Sequence, residues 1–372
     1  MGLRGKTFLI ASGLLCAACG PISKLPPLPP VEVETERRKE QIDQIRNYFA
    51  QLSRLNNVSF RIRVANRDGC KNWAWAQIGL SAGTVASLPR KYRSFSHEAL
   101  SISWTQATVL SVAETSPAAA AGIKPGDHLL TFNNEPVPHA RTAEWIGAFV
   151  RRNGERPIQV LVRRNSGDEV HTVVPVKACA IPIELKTDSD VNAFTTDDKI
   201  VVHSSILRLA RTDAQLALVV GHELAHANLG HLSKQRTNAI LGWAGGAAID
   251  AGFVLGGIST GGAFNRAFTR AGARAFNVAF EREADYVGAY YAARAGYVLA
   301  GAEEFWRALS LENPDTLRIA TDHPVTPVRF VQMQKVATEI ADKQRRGLPL
   351  TPTLKSMETG VEPGSIPLEN IH

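Results

Sequence analysis

No stretch of this chain sets a basic stripe among interleaved aromatics. Its formal charge of +7 is spread thinly, with acidic residues between clusters such as Arg37-Arg38-Lys39 and Arg345-Arg346. Nucleic acid as the main partner is therefore excluded. Attraction to an anionic membrane surface is accommodated without being required. A long hydrophobic run is also missing from the N-terminus, where residues 8–15 are apolar but too few to span a bilayer as a stable helix. Cysteine is scarce. Of the four, Cys16 and Cys19 fall in that same stretch, which leaves Cys70 and Cys179 as one pair for the folded protein. The length of 372 residues allows two domains with full cores.

The short apolar stretch reads as an export signal. Arg4 and Lys6 supply the basic start, and Ala17-Ala18 are small residues ahead of Cys19. Leu15-Cys16-Ala17-Ala18-Cys19 resembles a lipoprotein signal with lipid on Cys19, although Cys16 stands where leucine is usual; ordinary signal cleavage nearby is the alternative. The prolines that follow, through residue 30, predict an extended spacer that holds a domain away from a membrane. In an oxidising compartment Cys70 and Cys179 make a plausible disulfide; two separate buried thiols are the other reading.

What the chain does have is His222-Glu223-Leu224-Ala225-His226. Two imidazoles four residues apart on a helix share a face and can bind one metal ion. Glu223 is rotated off that face, so it can hold and deprotonate a water without being a ligand. The helix itself is well specified. Thr212 and Gln215 form a capping-box pattern, and Leu216, Ala217, Val219, Val220 and Leu224 supply apolar bulk. A third protein ligand is needed. No histidine stands six residues after His226; that position is Leu232, and His231 is off the spacing, a supporting or surface residue. The better candidate is Glu281, in a helical stretch spanning residues 275–295 that Gly296 closes. Glu281 and Asp285 share a face, so one can bind metal while the other orients a histidine. Glu283 is a rival ligand that spacing leaves open.

H-E-L-A-H followed by E-x-x-x-D resembles the gluzincin group of HtpX-like and CAAX-prenyl-protease-like metallopeptidases, and more narrowly their periplasmic lipoprotein branch. The resemblance covers about residues 185–340. It implies one zinc ion held by His222, His226 and Glu281, with Glu223 as general base and Asp285 behind the ligands. Asn192-Ala193-Phe194 is similar to the group's edge strand beside the cleft. His323-Pro324 followed by Arg329 is similar to a later motif whose histidine approaches the metal or the reacting carbonyl and whose arginine supports the site. His323 or Arg329 would stabilise an oxyanion, or His323 would cap the zinc at rest; for His323, a residue at the start of a helix capped by Thr326 and opened by Pro327 is the structural alternative.

A second signature lies upstream. A strand near 109–112 meets a turn at Ser116-Pro117, then an Ala-rich helix ended by Gly122, a tight turn at Lys124-Pro125-Gly126-Asp127 and a strand at 129–132. A turn at Asn133-Asn134, a helix near 140–151 and strands at 158–163 and 170–176 follow. The order resembles a PDZ domain, which accepts an extended peptide as an added strand. Ile78-Gly79-Leu80 and Leu100-Ser101-Ile102 are both candidates for its carboxylate loop.

The expected architecture is α+β: a mainly helical zinc-peptidase core with a small sheet, plus an inserted β-rich PDZ domain. The expected divisions are a signal at 1–18, a tether at 19–35, an N-terminal peptidase segment at 36–85, the PDZ at 86–177, the peptidase core at 178–345 and a loose tail at 346–372. Within the N-terminal segment, Ile42, Ile45, Phe49, Leu52 and Leu55 recur at helical spacing, and 58–64 alternates as a strand. Residues 239–274, rich in glycine and apolar residues but interrupted by Asp250, read as a helical hairpin over the cleft rather than a membrane span. The expected activity is zinc-dependent cleavage of exported, misfolded or misassembled proteins in the bacterial envelope. Extended polypeptides are the substrates and the PDZ is the reader; a binding or assembly factor with little proteolysis is the rival reading.

Overall fold

The computed structural model describes residues 23, 25–70, 73–255, 258–274, 277–312 and 327–353. Its first element is a long helix, α1 (Pro30–Ala65), in which Pro30 occupies the first turn. There a missing N–H goes unnoticed and the fixed φ suits the helix. The helix thus begins inside 19–35, the stretch expected to be an extended tether. Ile45, Phe49 and Leu55 are buried as their spacing predicts. Residues 58–64 are not a strand; they are the last turns of α1, and Val58, Ser59, Phe60 and Ile62 are all buried. A helix end enclosed on several sides carries no single apolar stripe, and its β-branched residues imitate strand alternation.

The chain then forms β1 (Ala74–Gln77), β2 (Leu80–Gly83), α2 (Ser96–Leu100), β3 (Thr108–Val112), α3 (Pro117–Ala120), β4 (His128–Phe132), β5 (Glu135–Pro136), α4 (Thr142–Asn153), β6 (Ile158–Arg164), β7 (Gly167–Val173) and β8 (Val176–Cys179). Six of the strands make an antiparallel sheet in the order β2-β3-β4-β6-β7, with β5 on β4. The sheet therefore takes in β2, ahead of the boundary expected at residue 86. Leu80-Ser81-Ala82-Gly83 is too short and too small in side chain to announce a strand by pattern. β1 and β8 form a separate antiparallel ribbon that sets Ala74 opposite Cys179. Cys70 and Cys179 are joined by a disulfide with Cα atoms 5.5 Å apart. The chain thus leaves and re-enters the helical part through one covalently closed neck. The sheet and α4 enclose their own core around Phe132, Phe149 and Val160. By contrast Val85, Leu88 and Ile102, from the connection between β2 and β3, pack into the larger helical core.

The helical part holds β9 (Ile183–Lys186), β10 (Ala193–Thr195), β11 (Ile200–His203), α5 (Ser204–Leu209), α6 (Asp213–Leu229), α7 (His231–Leu255), α8 (Ala263–Arg274), α9 (Asn277–Arg294), α10 (Glu304–Glu312) and α11 (Pro327–Arg345). Its three strands run in the order β10-β11-β9, so β10 is an edge. The fold is α+β, a mainly helical core with a small sheet beside a β-rich domain.

The segment from 239 onward is a helical hairpin, α7 against α8. Gly246 meets the α8 backbone so closely that a Cβ there would lie 2.6 Å from Asn265 Cα. The Asp250 carboxylate, which interrupts the apolar run, accepts the N–H groups of Asn265 at 2.7 Å and Phe264 at 3.3 Å, capping the start of α8. By length and composition α7 is apolar enough to cross a membrane, and Leu241, Trp243 and Leu255 are exposed on it.

Candidate metal centre

Helix α6 owes its register to both ends. Thr212 Oγ1 accepts the Gln215 N–H at 3.3 Å, and Gln215 Oε1 accepts the Thr212 N–H at 3.4 Å. Gly230, with φ of 66°, ends the helix in the left-handed conformation. Between them every residue from Gln215 to His226 is buried. A helix buried all round is a costly place for two imidazoles and a carboxylate unless partners satisfy them.

The partners come from α9, and a pair of glycines lets that helix approach. A Cβ on Gly221 would lie 2.4 Å from the Gly288 carbonyl oxygen, and one on Gly288 would lie 2.6 Å from the His222 nitrogen. The two backbones touch at the turn that carries His222. Glu281 and Asp285 are thereby brought opposite His222 and His226.

His222 Nε2 and His226 Nε2 lie 3.0 Å apart. Glu281 Oε2 is 3.4 Å from His222 Nε2, and Glu281 Oε1 is 3.3 Å from His226 Nε2. Ligands about 2.1 Å from a tetrahedral zinc lie roughly 3.4 Å from one another, so the triangle fits one face of such a site. All three residues are buried, His226 most open at 8% exposed. A second group of metal-binding residue types, Asp188, Asp190 and His203, already has a cation of its own: Lys186 Nζ lies 3.0 Å from Asp188.

Behind the triangle each imidazole is held from its far side. His222 Nδ1 lies 2.9 Å from Asp285 Oδ1. An ionised carboxylate only accepts, so Nδ1 carries a proton, and Nε2 is the nitrogen left for a metal, which would take the place of the second proton there. Burial works against a charged His222, but Asp285 and Glu281 outweigh it and hold its pKa up at about 10. Burial would raise Asp285, yet Arg329 and His222 hold it below the usual carboxylate range. Arg329 is 1% exposed. It grips Asp285 with Nε and Nη2 at 2.7 and 2.8 Å, reaches Glu281 at 3.1 Å, and lies over the Trp306 ring at 4.7 Å.

His226 is backed differently. Its Nδ1 lies 3.0 Å from Nδ1 of His231, whose Nε2 lies 3.0 Å from Glu283 Oε2. Burial, reinforced by His226, pushes His231 down to about 4, so it is neutral and free to accept. Glu283, the rival ligand by spacing, thus faces His231 and not the triangle. His231, off the ligand spacing, sits directly behind His226.

Glu223 is buried, and its Oε2 accepts the Thr195 hydroxyl at 2.9 Å; the same hydroxyl lies 2.8 Å from the Glu223 carbonyl. Thr195 ends β10, the edge strand that also holds Ala193 and Phe194, with Asn192 just ahead of it. The carboxylate flanking the triangle is therefore tied to the strand beside it. Thr195, Trp306 and the pairing of His231 with Glu283 were not found by sequence reasoning, because each joins positions far apart in the chain with no spacing rule between them. His323 and Cys19 lie outside the described residues.

At the other domain, β2 and α4 flank a groove lined by Ile78, Gly79, Leu80, Ile146 and Val150. Leu100 and Ile102, from the second candidate loop, face α1 elsewhere.

Among known families, residues 171–337 match peptidase family M48 and residues 76–174 match the PDZ domain. The chain is 32% identical over 127 residues to the beta-barrel assembly-enhancing protease of Escherichia coli O157:H7, a match that covers 30% of this chain and 25% of that protein. The chain thus spans about a quarter of the length of the curated relative it matches. Among solved structures, the HtrA3 PDZ domain bound to a phage-derived ligand (FGRWV) is 23% identical, covering 28% of this chain and 88% of that one at a TM-score of 0.22.

Proposed function

We propose that this chain, which combines an M48 peptidase domain with a PDZ domain, is a zinc-dependent endopeptidase of the bacterial cell envelope. The observation that carries the reading is the buried triangle of His222, His226 and Glu281, with edges of 3.0 to 3.4 Å, beside a carboxylate that is not part of it. A purely structural metal site has no use for Glu223.

The three donors would hold one zinc, which when bound lowers the pKa of a water and polarises the peptide carbonyl. Glu223, beside the triangle but not part of it, would act as the base that takes a proton from the attacking water and passes it to the leaving amine. The Thr195 hydroxyl holds Glu223 in the rotamer this transfer needs. Asp285 fixes the His222 tautomer, and His231 with Glu283 does the same for His226. Arg329, buried and committed to Asp285 and Glu281, balances the charge of both carboxylates; it is a positioning residue and does not contact substrate. The oxyanion or capping role remains with His323. Substrate lies extended along Asn192, Ala193 and Phe194, adding a strand to the free edge of β10.

The compartment reading is supported by the signal-like pattern of residues 4–19, with Cys19 as the candidate for lipid, by the prolines that follow it, and by the Cys70–Cys179 disulfide, which suits an oxidising space. A Cys19→Ala protein that still takes up labelled palmitate would exclude this anchor. A relative named for β-barrel assembly makes misassembled envelope proteins the first substrates to try.

The test is casein hydrolysis by residues 20–372, with Glu223→Gln alongside. Cleavage should stop on chelation, return with zinc and fall by about 10²–10⁴-fold in the variant at unchanged fold. A variant as active as the parent would leave a binding or assembly factor as the better reading.

A further inference from the structure

A cavity of about 740 Å³ lies between the ends of α1 and α9 on one side and the β-rich domain on the other. Small-molecule sites measure roughly 300–1,000 Å³ and favour such junctions between domains. This cavity shares no lining residue with the groove between β2 and α4, and none with the metal centre. Its wall is mostly apolar. Phe60, Val64 and Ala65 come from α1, and Ala120, Val174 and Val176 from the β-rich domain. Val174 is 53% exposed, so part of that wall meets water.

Two cations stand where the cavity meets α9. Arg61 Nη2 donates to the Ala295 carbonyl at 2.8 Å, and the ring of Tyr297 lies 4.5 Å beneath its guanidinium. Gly296 leaves room for this approach: its φ is +82°, and a Cβ there would lie 3.2 Å from Arg61 Nη2. Arg294 donates from Nε to the Leu350 carbonyl at 2.7 Å and from Nη1 to Asn66 Oδ1 at 3.1 Å. All three acceptors are neutral. Among the described residues neither arginine forms an ion pair, and no Asp or Glu lines the cavity. The dipole at the end of α9 supplies roughly half an elementary charge. Two guanidiniums exceed that several-fold, so positive charge remains at this end. Capping of α9 explains the Nη2 contact of Arg61; it does not explain an apolar wall beside an excess of cations.

We propose that the cavity binds a single-chain amphipathic anion, with a carboxylate or phosphate head on Arg61 and Arg294 and an alkyl chain against the apolar wall. Guanidinium N–H groups meet two oxygens of either head at once. The bound molecule touches α1 and α9 on one side and α3 on the other, and so restrains how the two parts of the protein sit together. Helix α9 also carries Glu281 and Asp285, but binding itself needs neither metal nor catalysis.

The probes are dodecanoate, dodecyl phosphate, their eight-carbon counterparts and the neutral 1-dodecanol, radiolabelled and measured by equilibrium dialysis against residues 20–372 below micelle-forming concentrations. At least one dodecyl anion should occupy one site per chain and bind tenfold or more tightly than dodecanol. Its eight-carbon counterpart should bind at least tenfold more weakly, since each CH₂ lost is worth a factor of about four. Arg61→Gln combined with Arg294→Gln should bring anion and alcohol to within twofold. Ala120→Trp, at an exposed position on the wall, should abolish saturable binding with the circular dichroism spectrum unchanged. Tighter binding of dodecanoate would identify the head as a carboxylate, and of dodecyl phosphate as a phosphate; either upholds the site. Equal binding of anion and alcohol, or an anion preference that survives the double variant, would overturn the role of the arginines. Binding untouched by Ala120→Trp would place the ligand elsewhere and overturn the proposal, as would no saturable binding by any probe. Binding that appears only once residues 354–372 are deleted would make the chain's own terminal segment the occupant and overturn the assignment to an amphiphile. The contrast between anion and alcohol is read on the unaltered chain, so it stands even if a variant folds poorly.

Discussion

At the scale of single residues, Asp285 carries more than its position behind the three candidate donors suggests. It fixes His222 through Nδ1 and closes a fully buried pair with Arg329. Removing one partner of such a pair leaves the other charge stranded, at a cost of about 3–5 kcal/mol. Asp285→Asn should therefore lower the midpoint of chemical denaturation as well as weaken zinc binding by roughly 10–100-fold. A variant with unchanged stability and unchanged metal affinity would remove Asp285 from the site. The pairs His222 with His226 and Glu281 with Asp285 were legible in the sequence because a spacing of four on a helix fixes a shared face. The residues that hold them were not. Thr195 meets Glu223, and His231 meets Glu283, only because separate elements cross. Glu281 faces His222 and His226 while Glu283 faces His231, a difference of side-chain direction that spacing alone cannot give.

At the scale of elements, the crossing of α6 and α9 makes the site. Gly221 and Gly288 are helical glycines, each a small cost in helix propensity relative to alanine. In the fold they are the contact that sets His222 against Asp285. Gly221→Ala would gain about 1 kcal/mol of helix propensity, but its Cβ meets a backbone carbonyl that cannot yield. The expected net effect is a loss of about 1–3 kcal/mol and a drop in zinc affinity, read by thermal denaturation with and without metal. A stabilised variant that keeps full affinity would show that the two helices are set by something else. The same scale explains the misread end of α1. Residues 58–64 alternate like a strand, and only the enclosure of that helix end by other elements shows why so many of its residues are apolar. The turns and strands of the β-rich domain were readable over residues 108–173, where proline, glycine and asparagine punctuate the chain. β2, four residues of mostly small side chains between Gly79 and Gly83, has no hydrophobic alternation to announce it.

At the scale of the whole molecule, the β-rich domain is tied in twice, by the packing of Val85, Leu88 and Ile102 into the helical core and by the disulfide at its neck. The bond closes a loop of 109 residues. A loop of that length restrains the unfolded chain by about 4–5 kcal/mol in the chain-entropy account. Cys179→Ala, or full reduction, should lower stability by an amount of that order, measured by chemical denaturation with both midpoint and slope fitted, since the freed unfolded chain also steepens the slope. An unchanged midpoint would mean that the neck is held by noncovalent packing alone. The second signature over residues 108–135 was legible in the sequence, with Cys70 and Cys179 on either side of it; the packing of Val85, Leu88 and Ile102 into the helical core was not, since it depends on a connection with no regular pattern.

The most direct test of the whole account is the zinc content of the freshly purified mature chain, measured by mass spectrometry of the metal beside Glu281→Gln and Glu223→Gln. The account predicts one zinc per chain in the parent and in Glu223→Gln, and a large loss in Glu281→Gln. A folded parent without zinc, or a Glu281→Gln chain that keeps it, would contradict the ligand set and the peptidase mechanism built on it.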